Sequence, residues 1–400
     1  MHIELKKSYS LYVHIPFCRS KCDYCDFFSI PNHGLIPDSY IDALKNELTW
    51  QCSVYGIDSF RTVYIGGGTP SLLSAMQLKN LLSFLNKKMN GCQECTMEMN
   101  PETITEEKLM IARDCGINRL SVGIQSMNES ALRAVHRHCS VYDTERALQI
   151  IKKVWKGRLN LDVIAGLPAQ SSKDFLNSLQ RVLDYTPDHV SLYTLTVEDG
   201  TLLAERIDNG LIWNSDLADE QWLLGKKQLE SLGYVQYEVS NFCRQGMESL
   251  HNMAYWKQLD YIGIGSGATG TVYSFSAGEC GLRWTNTTSL EEYISCWAET
   301  GCNSSVHDLE KKMWRTEERL DLATEEQEFF MMGLRTVSGV STEDYKIRFR
   351  SLSPWYGDLF ARLAPIRDKM KAHVCLNGDV YYAVSAPDFL FLNSVLLNLL

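Results

Sequence analysis

Apolar residues follow two alternating patterns over the first 232 residues of the chain. Short runs rich in apolar and β-branched residues, typical of strands, precede longer segments with apolar positions at helical spacing. The predicted strands are Leu11–Ile15, Thr62–Ile65, Cys95–Met99, Arg119–Ile124, Asn160–Ile164 and His189–Leu195. The predicted helices lie near residues 38–51, 74–88, 105–114, 143–155, 172–184 and 217–232. Six such units are too few to close an eight-stranded barrel, so we predict an α/β fold, a partial (β/α)6 TIM-like barrel.

The last third of the chain has a different pattern. Two segments carry many charged residues at helical spacing, Ser289–Thr300 and Leu309–Leu334, and predict helices with solvated faces. A glycine-punctuated apolar tail, Val374–Tyr382, predicts a hairpin before a final helix at Asp388–Leu400. These elements indicate a smaller, helical, winged-helix-like domain.

Length and composition limit the class of protein. At 400 residues with 45% hydrophobic side chains, the chain can form one large domain and a smaller one. We place the boundary between a core domain at residues 1–237 and a C-terminal region at residues 238–400. The formal net charge of −10 argues against a nucleic-acid partner, which normally needs a basic face. No apolar run has the length of a membrane span, and the N-terminal residues lack a signal-peptide core, so we expect a cytoplasmic protein.

Glycine or polar residues lie in or directly after four of the predicted strands, near their carboxyl ends. Strand two ends in Gly66-Gly-Gly-Thr-Pro70, strand three contains Glu98, strand four ends near Gln125, and strand five contains Asp162. A glycine-rich loop alone is usually only a tight turn. Because working residues sit at the carboxyl ends of strands in barrels of this type, the four segments together predict one binding rim.

Cys18, Cys22 and Cys25 lie within eight residues, in a C-x3-C-x2-C pattern. A 4Fe–4S cluster normally takes four protein thiolates. Three thiolates would leave one iron open to an exchangeable small molecule. The alternatives are three ordinary buried cysteines or a structural zinc site, for which His14 and His33 are the candidate fourth ligands.

The chain has 13 cysteines, an odd number that indicates free thiols in a reducing compartment. Cys92 and Cys95 form a second close pair, in a turn that enters predicted strand three. No further CxxC pair and no following helix accompany Cys92 and Cys95. Both absences weaken a redox or metal interpretation of these two cysteines. We expect most cysteines outside the triad to be structural.

The cysteine triad and the Gly66-Gly-Gly-Thr-Pro70 loop resemble the radical S-adenosylmethionine (SAM) superfamily. Within it, the chain resembles the oxygen-independent coproporphyrinogen III oxidase group, and more closely the HemW-type haem chaperones. The segments that carry this closer resemblance are Tyr12–Cys18, Cys25–Phe27, Asn118–Ser126, Tyr237–Asn241 and His251–Trp256. The decarboxylating oxidases of the group carry a fourth cysteine two residues after the triad, where this chain has Phe27.

The resemblance implies a 4Fe–4S cluster on the three cysteines, with SAM bound at its open iron. It also implies that a set of residues lines the SAM site: Tyr12, Gly67, Gly68, Thr69, Glu98, Gln125, Arg137 and Asp162. Glu98 would accept hydrogen bonds from SAM, and Arg137 would offer its guanidinium to a carboxylate. The alternative for Arg137 is a solvated charge on a helix.

The resemblance further implies haem as a third cofactor. His251 would ligate the haem iron axially, and Tyr255 and Trp256 would supply flat apolar surface for the porphyrin. A lone histidine beside aromatic residues is otherwise more often a core residue with satisfied hydrogen bonds.

Two functions are therefore predicted, in this order. The first is a haem chaperone that binds haem and transfers it to an acceptor protein, and that lacks coproporphyrinogen oxidase activity. Its acceptor is a protein of unknown identity, with respiratory and transiently membrane-associated proteins among the candidates. The second is a radical SAM oxidase that decarboxylates coproporphyrinogen III. Phe27 and the His251–Trp256 segment favour the chaperone, and the SAM-site residues are those that an oxidase would also need.

Overall fold

The computed structural model describes residues 8–32, 34–274, 279–298, 314–349, 358–374 and 379–399. All six predicted core strands are confirmed, each within two residues at either end. They are β1 (Ser10–Ile15), β2 (Thr62–Gly67), β3 (Glu94–Met99), β4 (Arg119–Gln125), β5 (Arg158–Ala165) and β6 (His189–Thr194). These strands lie side by side in chain order and every neighbouring pair is parallel. The predicted α/β barrel-like core is thus confirmed.

The six predicted core helices are also present. They are Asp38–Tyr55, Ala75–Asn86, Glu106–Asp114, Val141–Val154, Ser172–Leu183 and Ser215–Ser231. Ser74, Ser140 and Ser171 begin three of them with capping boxes, in which each serine side chain accepts a backbone N–H of the first turn. Shorter helical segments interrupt the connections at Pro70–Leu72, Pro101–Thr103, Glu129–Ala134 and Leu202–Asp208. The helices pack on the apolar outer face of the sheet, where Leu11, Val13 and Ile15 are fully buried.

Within the described residues, the sheet extends beyond the six predicted strands to a total of twelve strands. Next to β6 lie the antiparallel strands Asn241–Cys243 and Val235–Gln236. Next to β1 lies a further parallel strand, Tyr261–Ile264, which is followed by antiparallel strands Thr269–Val272, Gly281–Asn286 and Arg315–Leu320. Strands from both sides of residue 237 therefore share one sheet.

The C-terminal residues form a smaller unit with its own apolar core. Its sheet has the strand order Val340–Ser341, Val380–Val384, Met370–Val374. Its helices are Leu322–Gly333, Thr342–Phe349, Leu359–Arg362, Ala386–Phe389 and Leu392–Leu397, and Ala364–Lys369 is a 3-10 helix. Phe330, Tyr345 and Phe349 are fully buried at its centre. The turn of the predicted hairpin, at residues 375–378, lies outside the described residues.

Two predictions for the last third of the chain need correction. The segment Leu309–Leu334 is not one helix, because Arg315–Leu320 pairs as an edge strand with Gly281–Asn286 and the helix begins only at Leu322. Charged side chains on both faces hid this strand from the hydrophobic pattern, and such charges are common on edge strands. The predicted final helix is two short helices, while Leu290–Ala298 agrees with its prediction. Residues 299–313 and 400 lie outside the described part.

No helix in the described ranges has both the length and the apolar character that crossing a membrane requires.

Candidate functional site

A pocket of about 410 Å³ opens at the carboxyl ends of the parallel strands. All three triad cysteines line it. So do seven of the eight residues predicted for the SAM site: Gly67, Gly68, Thr69, Glu98, Gln125, Arg137 and Asp162. Tyr12 lies deeper, where its hydroxyl is 2.9 Å from Nδ1 of His14 and its ring stacks on Tyr64. His251 does not line the pocket.

The cysteine loop is held closed at its base and at its tip. At the base, the short strands Phe17–Cys18 and Ile30–Pro31 pair in parallel. At the tip, the Asp23 carboxylate is 2% exposed, accepts a hydrogen bond from Arg206 and lies 2.9 Å from Nδ1 of His136. Sequence analysis missed these three residues, because they come from segments far apart in the chain. Asp23 therefore fixes the loop that presents the cysteines.

Two of the three triad thiols face side-chain donors that suit a negatively charged cluster. Arg137 Nη1 lies 3.6 Å from Sγ of Cys22, and Thr69 Oγ1 lies 3.6 Å from Sγ of Cys18. Burial raises the pKa of the Cys25 thiol to about 11, so this thiol would need the charge of a metal centre to ionise near neutral pH.

The geometry fits a cluster better than a single metal ion. Within the described residues, no group of three or more histidine, cysteine, aspartate or glutamate side chains converges closely enough to hold one ion. A cubane is bound by each cysteine through a different iron, so its ligands need not converge on one point. His14, a candidate zinc ligand, is buried between Tyr12 and the Phe28 carbonyl, and His33 lies outside the described residues.

Glu98 is the acidic centre of the pocket. Its carboxylate accepts a 2.6 Å hydrogen bond from the Tyr64 hydroxyl and a 3.1 Å hydrogen bond from the Gly67 backbone N–H. Burial, reinforced by the nearby charge of Asp162, raises the pKa of Glu98 to about 7. Burial also raises the pKa of Asp162, although Asn160 donates to it at 2.7 Å. Two carboxyl groups thus lie where a cationic ligand would be stabilised.

Arg137 and Gln125 contribute unused polar atoms to the same pocket. Arg137 Nη2 donates to the Gly123 carbonyl at 2.7 Å and to Asn100 Oδ1 at 3.1 Å. It is therefore a fixed pocket residue and not a solvated helix charge. Its Nε and the side-chain oxygen of Gln125 are buried and have no hydrogen-bond partner. Buried polar atoms without partners are costly, so this donor and acceptor fit a polar ligand such as SAM.

The glycine loop after β2 is shaped by its protein neighbours. Gly67 has a φ of 115°, and a Cβ on it would lie 2.6 Å from the His14 ring. A Cβ on Gly68 would lie 2.7 Å from the Phe17 carbonyl oxygen. The glycines therefore let the loop pack against β1 and the start of the cysteine loop, which brings its backbone to the pocket wall.

His251 lies deep in the molecule, near the amino end of β2. It is 1% exposed; Nδ1 is 2.8 Å from Thr62 Oγ1 and Nε2 is 2.9 Å from the Tyr255 hydroxyl. Burial lowers its pKa to about 3, so the ring is neutral. Its ring also stacks on Tyr64, the residue that donates to Glu98. Haem ligation by His251 would require one of its two hydrogen bonds to break.

Comparison with known proteins places this fold and pocket in a class. Residues 12–182 match the model of the radical SAM superfamily. The structure of coproporphyrinogen III oxidase (HemN) from Escherichia coli superposes with a TM-score of 0.78 at 22% identity, covering 99% of this chain and 91% of that one. Residues 12–182 therefore form a radical SAM domain, and the match to HemN shows a shared fold.

Curated relatives define the family more narrowly. The haem chaperone HemW of Lactococcus lactis subsp. lactis (strain IL1403) is 34% identical over 386 residues, which cover 94% of this chain and 95% of that protein. HemW of Bacillus subtilis (strain 168) is 32% identical over 362 residues, with coverage of 89% and 91%. The chain belongs to the HemW family, as the sequence motifs predicted.

Proposed function

We propose that this protein is a haem chaperone, which binds haem and passes it to an acceptor protein. The curated relatives that match nearly its whole length carry the name haem chaperone. The acceptor is a protein and not a nucleic acid, in keeping with the net charge of −10. We further propose that the protein works in the cytoplasm and meets a respiratory or transiently membrane-associated acceptor there.

The observation that carries this proposal is Phe27. It lines the pocket beside the cysteine triad, and its side chain is 69% exposed. By the resemblance to the group, the decarboxylating oxidases have a cysteine at this position. A phenyl ring can neither ionise nor exchange a hydrogen atom as a thiol does, so the position lacks the chemistry of the oxidase.

The 4Fe–4S cluster would be held by Cys18, Cys22 and Cys25. SAM would be held by the other predicted pocket residues, which are Gly67, Gly68, Thr69, Glu98, Gln125, Arg137 and Asp162. Tyr12 would support His14 beneath them. The cluster with bound SAM supplies one-electron cleavage chemistry when both are present. The described residues supply the pocket that would bind SAM. The carboxyl groups of Glu98 and Asp162 would face its ammonium group, and the guanidinium of Arg137 would face its carboxylate. Backbone groups would contact the rest of the molecule.

His251 stays the predicted axial ligand of haem. It is neutral, as an iron ligand must be, and Tyr255 and Trp256 lie on the same short helix, Leu250–Trp256. The test is a haem titration of His251→Ala, with Tyr255→Phe as the matched variant that removes only a hydroxyl. Loss of the Soret shift in His251→Ala but not in Tyr255→Phe would support ligation. Normal haem affinity in His251→Ala would remove this ligand assignment and leave the chaperone proposal standing.

The oxidase is the alternative function, and the complete SAM pocket is the observation that favours it. An anaerobic assay with cluster-replete protein, SAM, reductant and coproporphyrinogen III distinguishes the two. We expect no conversion to protoporphyrinogen IX by the wild-type chain. Phe27→Cys is the informative partner, because it restores a thiol at the position that differs. Robust decarboxylation by the wild-type protein would contradict the chaperone proposal.

A further inference from the structure

A second pair of thiols lies at the opposite end of β3 from the pocket. Sγ of Cys95 donates to Sγ of Cys92 at 3.3 Å. The backbone around the pair is fixed: the Cys92 N–H donates to the Met89 carbonyl at 2.9 Å, and the Cys95 N–H donates to Asn118 Oδ1 at 2.9 Å. A disulfide has an S–S separation of about 2.05 Å, so little movement of either sulfur would be needed to form one.

The two thiols differ in exposure and in acidity. Cys92 is partly exposed, whereas Cys95 is only 2% exposed. The hydrogen bond from Cys95 lowers the pKa of Cys92, and the same bond, together with burial, raises the pKa of Cys95. An accessible, more acidic thiol beside a buried, less acidic one is the arrangement that thiol–disulfide exchange requires, because the first attacks and the second resolves.

We propose that Cys92 and Cys95 form a redox-active dithiol that exchanges with small-molecule disulfides. The Cys92 thiolate attacks one sulfur of the disulfide, forms a mixed disulfide and expels one thiolate. Cys95 then attacks the Cys92 sulfur, loses its proton and expels the second thiolate, which leaves an intrachain disulfide. The dithiol is oxidised by two electrons, and the small disulfide is reduced to two thiols.

The pair is separate from the cluster site. Cys95 and Glu98 are three residues apart on one strand, and a strand rises about 3.3 Å per residue, so roughly 10 Å separates the dithiol from the nearest pocket residue. Glu94, between the two cysteines in sequence, accepts hydrogen bonds from Arg119 and from the His251 backbone N–H. The dithiol therefore adjoins the buried anchor of the His251–Trp256 segment and not the SAM pocket.

The test uses the cluster-replete full chain under anaerobic conditions. The protein is incubated with excess oxidised glutathione, its free thiols are alkylated, and the tryptic peptide of residues 89–108 is examined by mass spectrometry. Cys92 and Cys95 are the two cysteines in that peptide. We expect a peptide two hydrogens lighter than the reduced form, without alkylation or glutathione, and its conversion back to the dithiol by excess reduced glutathione.

Variants separate the two roles. Cys95→Ser should accumulate a glutathione adduct on Cys92, because no resolving thiol remains, and Cys92→Ser should leave Cys95 reduced. Cys115→Ser is the control, since Cys115 is partly exposed and its sulfur lies 3.7 Å from the Ser83 hydroxyl and not beside a second thiol in the described residues. A wild-type peptide that stays fully alkylated, or that keeps glutathione on Cys92, would overturn the proposal, as would equal reactivity of Cys95 in Cys92→Ser.

Discussion

Glu98 is a buried carboxyl group whose ionisation makes the charge of the pocket depend on pH. Its pKa of about 7 lies in the range where cells operate, so its charge changes with modest changes of pH. The ionised form attracts a bound ammonium by its charge and accepts charge-assisted hydrogen bonds from it, whereas the protonated form keeps only a neutral carbonyl acceptor. The Tyr64 hydroxyl and the Gly67 N–H already favour the ionised form, which a cationic ligand would favour further.

We expect SAM affinity to rise with pH through this range. Since the folded pKa is near 7, about half of Glu98 is ionised at pH 7 and about one-tenth at pH 6, while an α-ammonium group stays mostly protonated over this interval, so SAM should bind about fivefold more weakly at pH 6 than at pH 7. Calorimetry across this range measures the effect. Glu98→Gln, which keeps the shape but not the charge, should bind weakly with a flat profile between these two pH values. A wild-type profile as flat as that of Glu98→Gln would show that Glu98 does not bind SAM.

The cysteine triad makes a second prediction at the residue scale. Reconstituted wild-type protein should contain about four irons and four sulfides per chain, and Cys22→Ser should lose most of both. Cys52→Ser is a matched control, because Cys52 is buried within the helix Asp38–Tyr55, away from the pocket. Iron and absorbance that persist when all three triad cysteines are replaced by serine would show that the cluster assignment is wrong.

Residues within one short segment could be predicted, and contacts between distant segments could not. The spacing of Cys18, Cys22 and Cys25 is visible in the sequence, and all three line one pocket. Asp23 lies between them, but its partners His136 and Arg206 are 113 and 183 residues away. Nothing in the local sequence of either partner signals that pairing.

At the scale of elements, the amino ends of the strands hold a buried ion pair. Glu94 on β3 is fully buried and lies 2.9 Å from Nε of Arg119 on β4. Arg119 also donates to the carbonyls of Met247 and Glu248 at 2.9 and 2.8 Å. The pair thereby joins the core strands to the segment that precedes His251.

Breaking this pair should destabilise the protein strongly. Arg119→Met removes the nearer cation from the buried Glu94 carboxylate and leaves Arg158 Nη1 3.6 Å from it, and we expect a loss of about 3–5 kcal/mol in the free energy of unfolding. The double variant Arg119→Met with Glu94→Leu removes both charges and should recover much of that loss. Urea unfolding of the wild type, both single variants and the double variant measures the coupling between the two side chains. A loss of unfolding free energy in the double variant that equals the sum of the losses in the two single variants would contradict the proposed interaction.

Strand prediction succeeded where runs are predominantly apolar or β-branched and failed where glycine or charge interrupts them. The six core strands carry runs of at least four such residues, and the parallel sheet buries them on its helical face. Tyr261–Ile264, which Gly263 interrupts, is absent from the predicted strands, although it pairs in parallel with β1. Arg315–Leu320 is a strand only because Gly281–Asn286 is there to pair with it.

At the scale of the whole molecule, side chains inside the sheet connect the His251 region, near the amino end of β2, with the pocket at the carboxyl ends of the strands. His251 stacks on Tyr64, and Tyr64 donates to Glu98 in the pocket. The sequence indicated both the pocket and His251 but not this connection, because ring stacking between residues 64 and 251 leaves no trace in spacing. Haem bound at His251 would therefore act on the same tyrosine that holds the SAM-site carboxylate.

The central claim is that this chain binds haem as a chaperone does, and an anaerobic haem titration of the cluster-replete wild-type protein tests it most directly. We predict a saturable Soret shift with an end point of about one haem per chain, and release of that haem when an excess of apomyoglobin is added. A linear, unsaturable increase with no distinct Soret band would contradict the account, as would haem that apomyoglobin cannot remove.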